Sequence, residues 1–128
     1  MNSTRMNQPL AQIMNSIGGV ELKEKRNGQF RFRMYLSPQM SAETIEALDL
    51  SVRSYNSLKR AGFHTVGELA EAVAGGMSLK SIRNCGRTSA REIMEHLFLY
   101  QYNSLRPESR DAYLREVAAM NAARSSPE

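Results

Sequence analysis

Leu58-x-x-Ala61-Gly62-Phe63-x-Thr65-Val66-x-x-Leu69 and, further along, Ile82-Arg83-Asn84-Cys85-Gly86-x-x-Ser89-x-x-x-Ile93 are two versions of one shape: helix, tight glycine hairpin, helix. In the first, Gly62 ends a helix where left-handed backbone is wanted, and Thr65 supplies the oxygen that caps the next helix. In the second, an apolar residue precedes Gly86 and a small one, Ser89, follows it by three. Such hairpins present unpaired backbone N–H groups at a helix N-terminus, where the macrodipole favours a phosphate. The glycine lets a nucleic-acid backbone come close, and a serine one turn in adds a hydroxyl donor. Taken singly, a glycine between helices is usually no more than a helix stop. Two such units in close succession move the balance toward phosphate binding, and spacing alone leaves the two readings level.

Outward from these hairpins the helical period continues. Ser51 is a good N-cap for a helix over 52–61, with Val52, Tyr55, Leu58 and Ala61 toward the core. Thr65 starts a helix over 66–73 that Gly75-Gly76 ends, and 78–82 is a single short turn. A long helix over 87–100 follows, with Ile93, Leu97 and Tyr100 as its inner stripe. After a break at 103–107, residues 108–123 read as a last helix with Tyr113, Leu114, Val117 and Met120 on one side, then a frayed tail. Upstream, Ser37-Pro38 and Ser41-x-x-Thr44 open a short helical or irregular stretch leading to Leu48-Asp49-Leu50.

The amino-terminal third follows another rule. Leu10, Ile13, Met14 and Ile17 suggest one short helix that Gly18-Gly19 stops. Val20, Leu22, Phe30, Phe32, Met34 and Leu36 then alternate with polar residues around Asn27-Gly28, a strong β-hairpin signal. The expected element is an antiparallel hairpin with strands over 20–26 and 29–36. The fold class is thus mainly α, a compact helical domain with two helix–hairpin–helix motifs over 41–106. An N-terminal helix and β-hairpin over 1–40 precede it, and a C-terminal helix and tail over 107–128 follow.

Composition sets the bounds. The 128 residues suit one domain of ordinary size, and 41% hydrophobic with 23% charged residues is far from a disordered composition. No apolar run approaches a bilayer-spanning length, and the start lacks a secretory pattern, so a cytoplasmic protein without membrane contact is expected. A single cysteine, Cys85, excludes an intramolecular disulfide and any zinc site of several thiolates. Neither His64 nor His96 has metal-ligand spacing to a partner, and no P-loop, dinucleotide fingerprint or carboxylate pair stands out. A non-enzyme without metal or cofactor is the expectation. The pI near 9.5 permits nucleic-acid binding without proving it. The excess charge is local: residues 1–40 carry six Lys/Arg against two carboxylates, net +4, whereas 41–106 are +1 and 107–128 are −1.

The run Leu48-Asp49-Leu50-Ser51-Val52-Arg53-Ser54-Tyr55-Asn56-Ser57-Leu58-Lys59, then Val66-Gly67-Glu68-Leu69, then Ile82-Arg83-Asn84-Cys85-Gly86-Arg87-Thr88-Ser89-Ala90-Arg91-Glu92-Ile93, closely resembles the C-terminal domain of the bacterial RNA polymerase α subunit. The resemblance covers roughly 45–105 and is far more specific than a lone glycine motif. It implies a protein that binds A/T-rich double-stranded DNA through the minor groove and acts in transcription. Position by position, it implies that Arg53 enters the groove, that Asn56 and Ser57 flank it, and that Asn84, Gly86, Arg87, Thr88, Ser89 and Glu92 meet the phosphate backbone. Glu92, a poor phosphate ligand, is expected to orient Arg53 or a water. Asp49 matches an acidic position that contacts σ factor. Thr88 stands where many members have lysine, with Arg87 beside it as a substitute. Ala47 stands where a second acidic residue is common, which weakens the σ inference. The large assembly domain of the α subunit has no counterpart in the sequence, so a stand-alone relative is expected, acting with RNA polymerase or σ factor or by itself.

Two other classes compete. The domain could dock on polymerase, σ factor or a regulator without binding DNA, or it could be a general helix–hairpin–helix module for DNA structure or repair. On the N-terminal hairpin, Lys23, Lys25, Arg31 and Arg33 read first as a solvated face, next as an accessory DNA or partner arm, last as a dimer edge.

Overall fold

The computed structural model describes residues 32–125, with side chains through Met120. Helix α1 (Pro38–Ala42) begins where Ser37 Oγ accepts the Met40 N–H and proline takes the first helical position. A 3₁₀ turn (Ile45–Leu48) buries Ile45 and Leu48. Then come α2 (Val52–Arg60), α3 (Val66–Ala74), a 3₁₀ turn (Leu79–Ser81), α4 (Arg87–Ser104) and α5 (Pro107–Ser125). Helix α3 has the full capping box: Thr65 Oγ1 accepts the Glu68 N–H while Glu68 accepts the Thr65 N–H. Gly62 and Gly76 take left-handed φ of 96° and 100°, as helix stops require.

The mainly helical expectation holds. No described residue belongs to a β-strand, and one isolated bridge pairs Thr44 with Thr65. The first predicted strand and the Asn27-Gly28 turn lie outside the described residues, as does the short helix at 9–17. Within 32–36 the predicted alternation is real: Phe32, Met34 and Leu36 are half-buried, while Arg33 and Tyr35 are exposed. The segment runs over α4 and α5 as an extended strap. The Tyr35 N–H donates to Gln101 Oε1, the Tyr113 hydroxyl to Arg33 O (2.8 Å), and the Tyr35 hydroxyl to Glu116 (2.6 Å).

Helix α4 is the axis of the core. Ile93, Met94, Leu97, Phe98 and Leu99 are all buried, because α2 and the first 3₁₀ turn cover one side and the strap with α5 covers the other. It therefore runs four residues beyond the predicted end and exceeds a single inner stripe. Phe98 packs edge-on against Phe32 and stacks on Tyr102 and Tyr113.

Helix α2 corrects the predicted face. Val52 is 75% exposed and Ala61 is exposed, whereas Ser54, Ser57 and Leu58 are buried and Tyr55 is half-buried. The helix is turned so that its serine hydroxyls meet partners on the α4 side, and those hydrogen bonds outweigh the burial of one valine.

Gly67 sits where α3 crosses α1. A Cβ there would lie 2.8 Å from Ser41 Cβ and 2.9 Å from Ser41 O. Gly67→Ala must therefore push backbone from backbone, and a destabilisation of about 1–3 kcal/mol is expected in urea titration. A loss below a few tenths would show that α1 moves freely.

Candidate nucleic-acid interface

Helix α2 and the second hairpin are joined by two ties. The Ser57 hydroxyl donates to Asn84 O (3.0 Å). At the other end, Glu92 accepts the Ser51 N–H (2.8 Å), the Ser51 hydroxyl (2.8 Å) and the Ser54 hydroxyl. Ser51 Oγ in turn accepts the Ser54 N–H (3.3 Å). The N-cap serine and its third helical residue thus form half of a capping box, and Glu92 completes it from another helix. Burial opposes the Glu92 charge, but the hydrogen bonds from Ser54 and Ser51 outweigh it and hold the carboxyl below its ordinary value.

Between these elements lies a groove of about 720 Å³. From α2 it is lined by Arg53, Asn56, Ser57 and Arg60, and from the hairpin and the start of α4 by Asn84, Cys85, Gly86, Arg87, Thr88 and Ser89, with Lys80 and Ile82 completing it. Four of these side chains are cationic and none is a carboxylate. The fold brings Arg53, Asn56, Ser57, Asn84, Gly86, Arg87, Thr88 and Ser89, each singled out in the sequence, to one surface.

Their parts differ from those expected. Arg53, Asn56, Asn84, Gly86, Arg87 and Thr88 are exposed, but Ser57 and Ser89 are buried, at 1% and 6% exposure. Ser57 forms wall, its proton committed to Asn84 O. Glu92 does not line the groove, and its carboxylate holds α2 rather than orienting Arg53. In the second hairpin Asn84, not glycine, takes the left-handed conformation, with φ 64°. Gly86 is extended (φ −86°, ψ −168°) and is the N-cap of α4, a helix start that no side-group oxygen caps.

Arg60 and Lys80 were not identified from sequence. Arg60 continues the Arg53–Asn56 face of α2 at helical spacing, a legible signal. Lys80 could be placed only by the fold, on a 3₁₀ turn anchored by the fully buried Leu79.

The remaining candidates lie elsewhere or are engaged. Asp49 is exposed, with φ 55°, on the turn before α2 and outside the groove lining. His96 Nδ1 lies 2.6 Å from Leu48 O; a carbonyl only accepts, so that nitrogen carries the proton. His64 Nδ1 lies 3.2 Å from Lys59 Nζ. Cys85 is buried, and desolvation pushes its thiol pKa up, away from nucleophilic chemistry. Among the described residues no group of three or more His, Cys, Asp or Glu is placed to hold a metal, and no helix is long and apolar enough to cross a membrane.

The family described as the C-terminal domain of the bacterial RNA polymerase alpha subunit matches residues 37–98. The protein is 56% identical over 54 residues to the DNA-directed RNA polymerase subunit alpha of Alkaliphilus oremlandii, an alignment spanning 42% of this sequence and 16% of that one. It is 53% identical over 53 residues to the same subunit of Carboxydothermus hydrogenoformans, spanning 41% of this sequence and 16% of that one. No solved structure matches with significance. The matched span contains both hairpins and the whole groove lining, and residues 37–98 form a domain similar to the C-terminal domain of the bacterial RNA polymerase alpha subunit.

Proposed function

We propose that the domain binds duplex DNA, with Arg53 entering the minor groove of A/T-rich tracts and the second hairpin holding phosphates, and that it acts in transcription with RNA polymerase. The observation that carries this reading is the groove itself: cations from three separate segments with no opposing carboxylate, beside a helix N-terminus left uncapped by any side group. Narrow A/T minor grooves have enhanced negative potential and attract an inserted guanidinium without base-by-base readout. Gly86 adds support from its surroundings. Its φ is one that any residue adopts, and a Cβ would meet nothing within 4 Å. Neither strain nor crowding in the fold requires glycine there, whereas close approach of a phosphate backbone favours it. The domain is then a binding unit with no chemistry of its own.

The test is fluorescence anisotropy of a labelled A-tract duplex against a G·C duplex over a salt series. Wild type is expected to prefer the A-tract, and Arg53→Ala to lose that preference. Equal binding to both duplexes, unchanged by Arg53→Ala, sinks the minor-groove reading. Gly86→Asp separates folding from binding. An aspartate at an extended N-cap is a favoured cap, so stability should hold or rise by a few tenths of a kcal/mol. The same carboxylate occupies the phosphate position, so affinity should drop by about tenfold or more.

A protein-docking reading is favoured by a different observation. Asp49, on the turn before α2, and the 75% exposed Val52, the first residue of α2, stand close in sequence, an acidic and an apolar group suited to a partner such as σ factor. On that reading Arg53→Ala is silent in DNA binding, while Asp49→Ala weakens capture of polymerase.

A further inference from the structure

The two ties order the groove. Ser51 meets Glu92 and Ser57 meets Asn84, so α2 and the 84–92 segment run in opposite directions. Arg53 and Arg87 belong to the stretches between the ties. Arg60 and Lys80 belong to the stretches beyond the Ser57–Asn84 tie, and both line the same groove. Along α2, Arg60 lies seven residues from Arg53, about 10 Å of axial rise on the same face. That distance exceeds the roughly 6 Å width of a B-form minor groove.

We infer that Arg60 and Lys80 form a second phosphate clamp, gripping DNA backbone beyond the groove that Arg53 enters. The inference rests on the DNA-binding reading and extends it to residues outside those the family resemblance implicated. Both side chains are exposed and line the groove, and neither is held in an ion pair with a carboxylate among the described residues. Lys59, next in sequence to Arg60, provides the contrast. Its ammonium lies against the Tyr55 ring (5.8 Å) and beside His64, and it does not line the groove. Phosphate contacts carry no base information but release counterions, so their signature is the salt dependence of affinity.

The experiment uses the full-length protein and the same A-tract and G·C duplexes, measuring log K against log[salt]. Arg60→Ala and Lys80→Ala should each flatten the slope by about 0.9, and the double variant by about 1.8, with A-tract preference retained. Lys59→Ala, which shares the helix-end position of Arg60, should leave the slope unmoved. Circular dichroism melts of the variants check that each is folded at the measuring temperature. A-tract preference with slopes unchanged in Arg60→Ala and Lys80→Ala overturns the clamp and leaves the Arg53 reading standing. Slopes that flatten without any A-tract preference support the clamp and overturn minor-groove selectivity. Absence of DNA binding by the wild type overturns both.

Discussion

Glu92→Ala is expected to lower the melting temperature by about 10 °C, although Glu92 lies at the margin of a surface that the family resemblance assigns to DNA. The carboxylate accepts from Ser51 N–H, Ser51 Oγ and Ser54 Oγ, and Ser54 is fully buried. Truncation strips the N-terminus of α2 of its acceptor and leaves a buried hydroxyl to find another. Hydrogen bonds to a charged group contribute about 1.5–3 kcal/mol. Water can reach the exposed Ser51 but not Ser54, so a net loss of about 2 kcal/mol is the expected scale. For a domain of this size each kcal/mol moves the midpoint by about 4–8 °C. The pH dependence has a definite sign. The Glu92 carboxyl is held below its ordinary value of 4.5, so its contribution is complete above that pH and is lost as pH falls through the lower folded-state value. Glu92→Gln should flatten the acid limb of stability while costing less than alanine at neutral pH. A variant that melts like wild type but binds DNA poorly would return Glu92 to the interface and refute its capping role.

Phe98→Ala is the most damaging single change expected, at about 3–5 kcal/mol by urea titration. The ring is fully buried and touches Phe32 of the strap, Tyr102 of its own helix and Tyr113 of α5, with centroids 5.5, 6.3 and 5.9 Å away. Those neighbours are pinned by their own contacts: Arg110 lies 4.9 Å from the Tyr102 ring, and the Tyr113 hydroxyl bonds Arg33 O. They close over a cavity poorly, which places the loss high in the range. Natural domains have about 5–15 kcal/mol in all, so a third or more of the total is at stake. A loss below about 1.5 kcal/mol would mean that strap and α5 are loosely attached to α4.

What could be read in the sequence was local. Thr65 with Glu68, Gly62, Gly76 and Ser51 each act within a turn of the residue that betrays them, so α2 and α3 were legible to within a residue or so. The second hairpin offered both Asn84 and Gly86 for left-handed backbone, since asparagine and glycine both tolerate it, and only the fold decides that Asn84 takes it. The α2 face failed for a tertiary reason. Apolar counting favours Val52 inward, but Glu92 is 38 residues from Ser54 and its pull on the serines has no local signature. Alternation over 32–36 correctly separated inward from outward residues, yet period two describes an extended strap as well as a strand. The groove was legible through the second hairpin and the family motif, whereas no residue of the first hairpin's 61–65 turn lines it. Lys80 was not legible, since it lines the same groove as Arg60 only through the fold, on a turn that the buried Leu79 anchors.

Those two ties also bear on how a partner is met. With α2 and the second hairpin fastened at both ends, the groove walls are set when the protein folds, and little backbone remains to be ordered on association. The freedom left to lose is in the long side chains of Arg53, Arg60, Lys80 and Arg87, about 0.5–1.5 kcal/mol for each one immobilised. On the proposed reading that toll consumes much of what a few phosphate contacts return. One copy of the domain would then make brief, rapidly reversible encounters, and lasting occupancy would depend on a tether or a neighbouring domain that raises its effective concentration.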